Sequence, residues 1–494
     1  MEIKIIKSLD QSCDTRVIGL YEDETYSFED EEIQEMVHYL TKVEEFKWEF
    51  GKVESFILPR EAKPNKFILI GLGKKEDFTL EKLRKVVAKV IKEGNRLKAK
   101  CILLEPMGIS KVISVETSTR IIAEISILAN YKFDRYQADK KENSIQEIHI
   151  WCREENYLEA MEISCQEGRI LGETTVFARD LVNEPANVLL PIELANQAKA
   201  TGEKYGFEVE VFDEDQIQEL GMEAYLSVAR ASENPPRLIV MRYFGDPANQ
   251  EERIGLIGKG LTYDSGGLCI KPPKGMIDMK SDMGGAAAVI GAMAAIAQMK
   301  LKVNVIGVVA ACENMISGHA YRTGDIIGSM AGKTIFVKST DAEGRLTLVD
   351  AVHYAIEKEK ATKICDIATL TGAAGFALGD VATPVLSNDD QFFENLQEAS
   401  EAVGEKIWRM PCFEEYKELL KSNVADLTNS AGNPGTITAG LFIGEFVQDK
   451  PWIHMDVAYT AWAEKASDYS LEGGTGGSVR TLYYLVKNES EVYL

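Results

Sequence analysis

Short runs in which nearly every residue is apolar alternate along this chain with longer segments in which apolar residues return every three or four positions. The first pattern predicts strands buried on both faces and the second predicts amphipathic helices, which need an apolar stripe on one side only. KFILIGLG (66–73), KCILLE (100–105) and EIHIWC (147–152) read as strands, and LEKLRKVVAKVIKEG (80–94) has the helical recurrence. Together they predict a small α/β domain over 1–153. A segment without proline and with few glycines, YLEAMEISCQEGRILGETTVFARDLVN, predicts one extended linker helix over 154–184 that ends near Pro185.

From 185 to 494 the alternation resumes. Strands are expected at RLIVMRY (237–243), RIGLIG (253–258), KVNVIGVVAA (302–311), TKICDIATL (362–370) and WIHMDV (452–457). Helices are expected at GGAAAVIGAMAAIAQM (284–299), LTLVDAVHYAIEKE (346–359) and QFFENLQEASEAVG (391–404). The fold class that follows is α/β in two domains, the larger C-terminal one built on a mixed, mostly parallel sheet flanked by helices. In such a sheet ligands collect where strands end and loops begin.

Composition narrows the function classes. The chain of 494 residues has 45% hydrophobic and 27% charged residues, an ordinary globular balance, and no apolar run of about 18 residues or more. No membrane role is expected. The opening MEIKIIKSLDQSCDTRVIGLYEDE lacks the features of a secretory signal, so a cytoplasmic location is predicted. The net charge of −23 opposes nucleic acid and favours small-molecule or peptide chemistry. Eight scattered cysteines form no C-x-x-C pair and read as buried free thiols.

Seven polar residues then stand out in two short stretches: Lys259, Asp264, Lys271 and Asp282, followed by Asp341, Glu343 and Arg345. Charges set among glycines and apolar residues are costly to desolvate, and a pair of divalent cations would offset that cost. Gly266 and Gly267 would let the backbone turn closely around an ion beside Asp264. Asp341 and Glu343 are two apart, so in an extended segment both would point the same way. An acidic D-x-E by itself reads more readily as a solvated turn. Carboxylates with one amine suit Mn²⁺, Zn²⁺, Mg²⁺ or Co²⁺. His38, His149, His319, His353 and His454 stand far apart and read as structural. GSMAGKT (328–334) misses a phosphate-binding loop because position 327 is Ile327, and Ser265 lacks the glycine of a nucleophile elbow, having Tyr263 two places before it.

STDAEGRL (339–346) closely resembles the NTDAEGRL signature of the leucyl aminopeptidase family, the cytosolic two-metal aminopeptidases. IGKGLTYDSGGLCIKPPKGMIDMKSDMGGAAAVIGAM is similar to that family's metal- and lysine-bearing segment with all spacings kept. Further matches follow in order, including ARDLVNEPANVLLP (178–191), ATLTGA (368–373), SNVADLTN (422–429) and WIHMDVAYTAW (452–462). The resemblance implies a metal-dependent aminopeptidase acting on the N-terminal bond of short peptides. It implies that Lys259, Asp264, Asp282 and Glu343 hold the tighter of two divalent ions, manganese or zinc, and that Asp264, Asp341 and Glu343 hold the exchangeable one. Lys271 and Arg345 are implied to be catalytic, with bicarbonate on Arg345. Met279, Thr369, Leu370, Gly372, Ala458 and Ala461 match positions lining the pocket for the first side chain. A homohexamer is also implied. Departures from the pattern include Ser339, Phe336, Thr323 and Tyr459, and none removes a ligand. The alternative is a non-enzymatic scaffold or DNA-binding protein on the same fold.

Overall fold

The structure, a computed structural model, describes residues 1–8, 13–59, 63–140 and 142–491. The chain divides into two compact units, Met1–Glu173 with Ala466–Leu471, and Thr174–Lys465 with Glu472–Leu494. The first unit carries six strands: β1 (Glu2–Ile6), β2 (Thr15–Tyr21), β3 (Val53–Ile57), β4 (Lys66–Gly73), β5 (Cys101–Leu104) and β6 (Glu147–Trp151). They form one sheet in the order β1-β6-β5-β2-β4-β3, parallel except for β3. The helix Leu80–Arg96 buries Leu83, Val86, Val87, Val90 and Ile91, the stripe that its spacing predicts. Thr79 caps its start by accepting from the Lys82 amide.

The helix expected over 154–184 is Leu158–Asn183; it stops two residues short of Pro185, since a residue before proline is pushed out of the helical region, and the division between the units falls within it, after Glu173.

The second unit contains β7 (Glu208–Phe212), β8 (Arg237–Phe244), β9 (Ile254–Asp264), β10 (Asn304–Asn314), β11 (Ile326–Ile327), β12 (Ile335–Phe336), β13 (Lys363–Ala368), β14 (Thr383–Ser387), β15 (Ile407–Arg409), β16 (Leu427–Thr428) and β17 (Trp452–Asp456). Eight of them build a sheet in the order β15-β14-β17-β13-β9-β10-β8-β7. Its centre is parallel, β17 with β13, β13 with β9 and β9 with β10, while the pairs β10–β8, β8–β7 and β14–β17 are antiparallel. The expected mixed, mostly parallel sheet is therefore observed.

β10 is buried at every position and β9 at all but one, which is why both read as apolar runs. The helix Gly284–Met299 lies directly on this centre. A methyl group on Gly285 would come within 2.1 Å of the Ile367 carbonyl oxygen, so only glycine allows the helix its close approach. That helix is apolar all round because it is buried all round.

Two sequence expectations change. β9 runs beyond Gly258 to Asp264 because its pairing with β10 continues past a register shift at Cys312/Glu313 to join Asp264 with Asn314. Lys259 thus sits inside the strand. The cysteines are not all free: Cys13 and Cys101 are joined in a disulfide across a sequence separation of 88, which no local spacing could reveal. The six others are free.

Candidate functional site

β9 delivers two charges to one end of the sheet. Lys259 is buried in mid-strand, and its Nζ donates to Asp282 Oδ1 at 2.8 Å, Glu343 Oε1 at 2.9 Å and the Thr369 carbonyl at 2.8 Å. A methyl group on Gly344 would lie 2.4 Å from Lys259 Cε, so the helix Gly344–Glu357 can begin there only with glycine. Asp264 ends the strand. Its Oδ1 accepts from the Gly266 amide at 2.9 Å and from Asn314 Nδ2 at 2.8 Å, and its Oδ2 faces Lys271 Nζ at 2.8 Å. Gly266 has φ of +84°, which a side chain would strain.

Asp282 closes the short helical turn Met279–Ser281, two residues before the buried helix, and also accepts from Thr369 Oγ1 at 2.8 Å. Asp341 meets Lys271 at 2.6 Å. The expected extended segment across Asp341 and Glu343 is instead a turn that feeds a helix start, with Glu343 already in the helical region. Convergence is nevertheless achieved: one oxygen each of Asp264, Asp341 and Glu343 lie within 4.8 Å of one another.

All seven predicted polar residues therefore line one open cleft of about 780 Å³, together with Met279, Thr369, Leu370, Gly372 and Ala458. Ala461 does not line it. It is buried behind the wall, within 3.0 Å of where a methyl group on Gly284 would stand.

The charges perturb one another. Burial, with the repulsion of neighbouring carboxylates, pushes Asp282 up to about 8 and Asp264 up to about 6, and burial beside Glu343 raises Asp341. Burial would also raise Glu343, but Lys259 and Lys271 outweigh it and hold Glu343 below its usual value. Burial would lower the two lysines, yet the surrounding carboxylates keep both above theirs. Arg345, desolvated, falls to about 10.

Two buried oxygens test whether metal fits. Glu343 Oε2 accepts no hydrogen bond, and Asp282 Oδ2 accepts none and has only the Lys259 charge facing it at 2.8 Å. Buried carboxylate oxygens without donors are expensive unless a cation satisfies them. Four carboxylates and one amine fit hard or borderline divalent ions. Arg345 Nη1 donates to the Asn429 carbonyl at 2.8 Å, while its buried Nε donates to nothing, a donor suited to a small anion.

Sequence reasoning missed the residues that hold these groups in place. Asn429 takes the Lys338 amide at 2.8 Å on Oδ1 and gives Nδ2 to the Ser339 carbonyl at 2.6 Å, fixing the loop before Asp341. Asn314 ties Asp264 to the Thr340 carbonyl. Asp456 accepts from Thr371 Oγ1 at 2.6 Å and from the Leu370 amide at 3.2 Å, which orients the cleft wall. The available signal was position: Asn314 and Asp456 end central strands, and Asn429 ends SNVADLTN. In GSMAGKT, Thr334 is bound to Asp426 and Lys333 to the Glu445 carbonyl, so that segment is structural.

Comparison with known proteins adds to this geometry. The model for the cytosol aminopeptidase family, catalytic domain, matches residues 176–483, and that family's N-terminal domain matches 17–140. A probable cytosol aminopeptidase of Clostridium perfringens is 52% identical over 482 residues, 97% of either chain. One of Alkaliphilus oremlandii is 44% identical over 99% of each. Among solved structures, a tomato leucine aminopeptidase variant aligns with a TM-score of 0.87 at 32% identity, covering 99% of this chain and 96% of that one. The bottromycin maturation enzyme BotP in complex with Mn aligns at 0.86 and 30%, covering 97% and 99%.

Proposed function

Because the chain belongs to the cytosol aminopeptidase family, it is a metal-dependent aminopeptidase, and we propose that Lys259, Asp264, Asp282, Asp341 and Glu343 are its metal ligands, Lys271 and Arg345 its catalytic groups. The observation that carries this reading is the pair of buried, donorless oxygens on Asp282 and Glu343 beside the converging oxygens of Asp264, Asp341 and Glu343. Lys259, Asp264, Asp282 and Glu343 would hold one ion, and Asp264, Glu343 and the more exposed Asp341 would hold the other. Lys259 must give up its proton to ligate, as any amine ligand does. Two divalent cations held there, manganese or zinc, would supply a water ionised near neutral pH and a polarised carbonyl.

The chain's own residues account for the remaining steps. Lys271 is charged, partly exposed and at the edge of the cleft, and it stabilises the oxyanion as the scissile carbonyl becomes tetrahedral. Arg345 offers its Nε–H, which has no acceptor within the protein, to an anion; bicarbonate held there would supply a group able to pass a proton to the leaving amine. Met279, Thr369, Leu370, Gly372 and Ala458 enclose the first side chain, and the acidic end of the cleft selects a free α-amine, so cleavage is confined to the N-terminus of short peptides. Family membership supports a cytoplasmic homohexamer, for which light scattering at the mass of six chains is the expected result.

The test is hydrolysis of a panel of aminoacyl amides by chelator-stripped protein with Mn²⁺, Zn²⁺, Mg²⁺ or Co²⁺ restored separately. Activity is expected to vanish on stripping and return with manganese or zinc. Full activity in the stripped protein, or none with any ion, overturns the assignment.

A further inference from the structure

The first unit holds a second convergence of ligand-type side chains, built from different chemistry. Cys13 precedes β2, Cys101 opens β5 and His149 lies in β6. Parallel pairing of Thr15 with Ile102 and of Cys101 with Glu147 brings them to one part of the sheet. The two sulfurs and a ring nitrogen of His149 lie within 4.8 Å of one another, and all three residues are buried. His149 Nε2 meets Glu147 Oε2 at 2.9 Å, and the same oxygen takes Lys4 Nζ at 3.3 Å.

We propose that this is a thiophilic metal site: with its disulfide reduced, the chain holds one soft or borderline divalent cation, Zn²⁺ foremost, on Cys13, Cys101 and His149. Two thiolates and an imidazole are a zinc ligand set, and three protein ligands leave a fourth position to solvent. With Nδ1 as the ligand atom, Glu147 on Nε2 is the carboxylate partner that orients a metal-binding histidine and raises its basicity. The six other cysteines are free thiols, as in proteins kept under reducing conditions, where this pair too would be open. A small-molecule thiol provides the electrons. Two equivalents become one small disulfide, the Cys13–Cys101 bond takes two electrons and two protons, and the cation then displaces both protons to solvent as two metal–sulfur bonds form. Disulfide and metal are thus alternative states of one site.

The sulfur ligands make the site separable from the oxygen-lined cleft. The full chain, kept in thiol reductant and loaded with Co²⁺, should show a near-ultraviolet thiolate-to-cobalt charge-transfer band that carboxylates and an amine cannot produce. It should also bind one more equivalent of metal than Cys13→Ser, which should lack the band. Because serine at a buried position risks the fold, Glu147→Gln serves as the second variant, its side chain being 40% exposed. It should weaken the site by about 10- to 100-fold, with the band restored at saturation and peptidase turnover unchanged. A fully reduced chain without the band overturns the proposal, as do equal stoichiometry in Cys13→Ser, unchanged affinity in Glu147→Gln, or a disulfide that survives excess reductant.

Discussion

Lys259 is enclosed by two carboxylates and a carbonyl, each within 2.9 Å, at a buried position in the wall of the cleft. Removing one member of a buried ionic group leaves the others uncompensated, so Lys259→Met is expected to lower unfolding free energy by about 3–5 kcal/mol in denaturant titrations. Asp341, with a side chain 39% exposed, is the contrasting case. Asp341→Asn should leave stability within about 0.5 kcal/mol. Its turnover on an aminoacyl amide, like that of Lys271→Ala, should fall by about a thousandfold. Near-normal turnover in either would refute the roles given to these residues. The charged residues were legible in the sequence because they cluster in two short stretches among glycines. Asn314 and Asn429 were not: they act by hydrogen-bonding backbone from distant segments, and asparagine in a loop carries no local mark of that task.

The strands that hold the site were legible for a simple reason. β4, β9, β10 and β13 are buried on both faces, so their apolar runs needed no partner to be recognised. β7, with its exposed alternate positions, and β14, which contains Pro384, offered no such run. His454 on β17 bonds Asp366 on β13 at 2.6 Å; burial opposes its charge, but Asp366 outweighs burial and raises the histidine above 6.5. The ion pair therefore adds stability below pH 6.5, and that gain is lost as pH rises through the folded-state value. Melting temperatures across that range should show this downward slope in the wild type and not in Asp366→Asn.

The helix Gly372–Leu378 meets Tyr459 where a methyl group on Gly375 would stand 2.4 Å from the ring. Gly375→Val should cost roughly 1–3 kcal/mol, and Tyr459→Gly in the same chain should restore it. Because Tyr459 lines the cleft, Tyr459→Gly should raise kcat/KM for bulky first residues over small ones by about tenfold, read from paired substrates.

At the scale of the whole molecule, binding to the folded state alone must raise stability. An activating ion at a hundredfold over its Kd should add about 2.7 kcal/mol per site, seen as a melting temperature that climbs with ion concentration and falls back with chelator. A flat response would contradict ligation by the folded cleft. Two-domain α/β organisation was readable from the alternation of patterns, whereas the meeting of Cys13, Cys101 and His149 depends on strand order, which periodicity does not encode. Lys259 and Lys271 neutralise much of the acidic cluster from within the chain, so the carboxylates do not need an ion to offset their mutual repulsion during folding. In a cell starved of the right ion, finished but idle molecules would accumulate and begin work as soon as supply returned, without new synthesis.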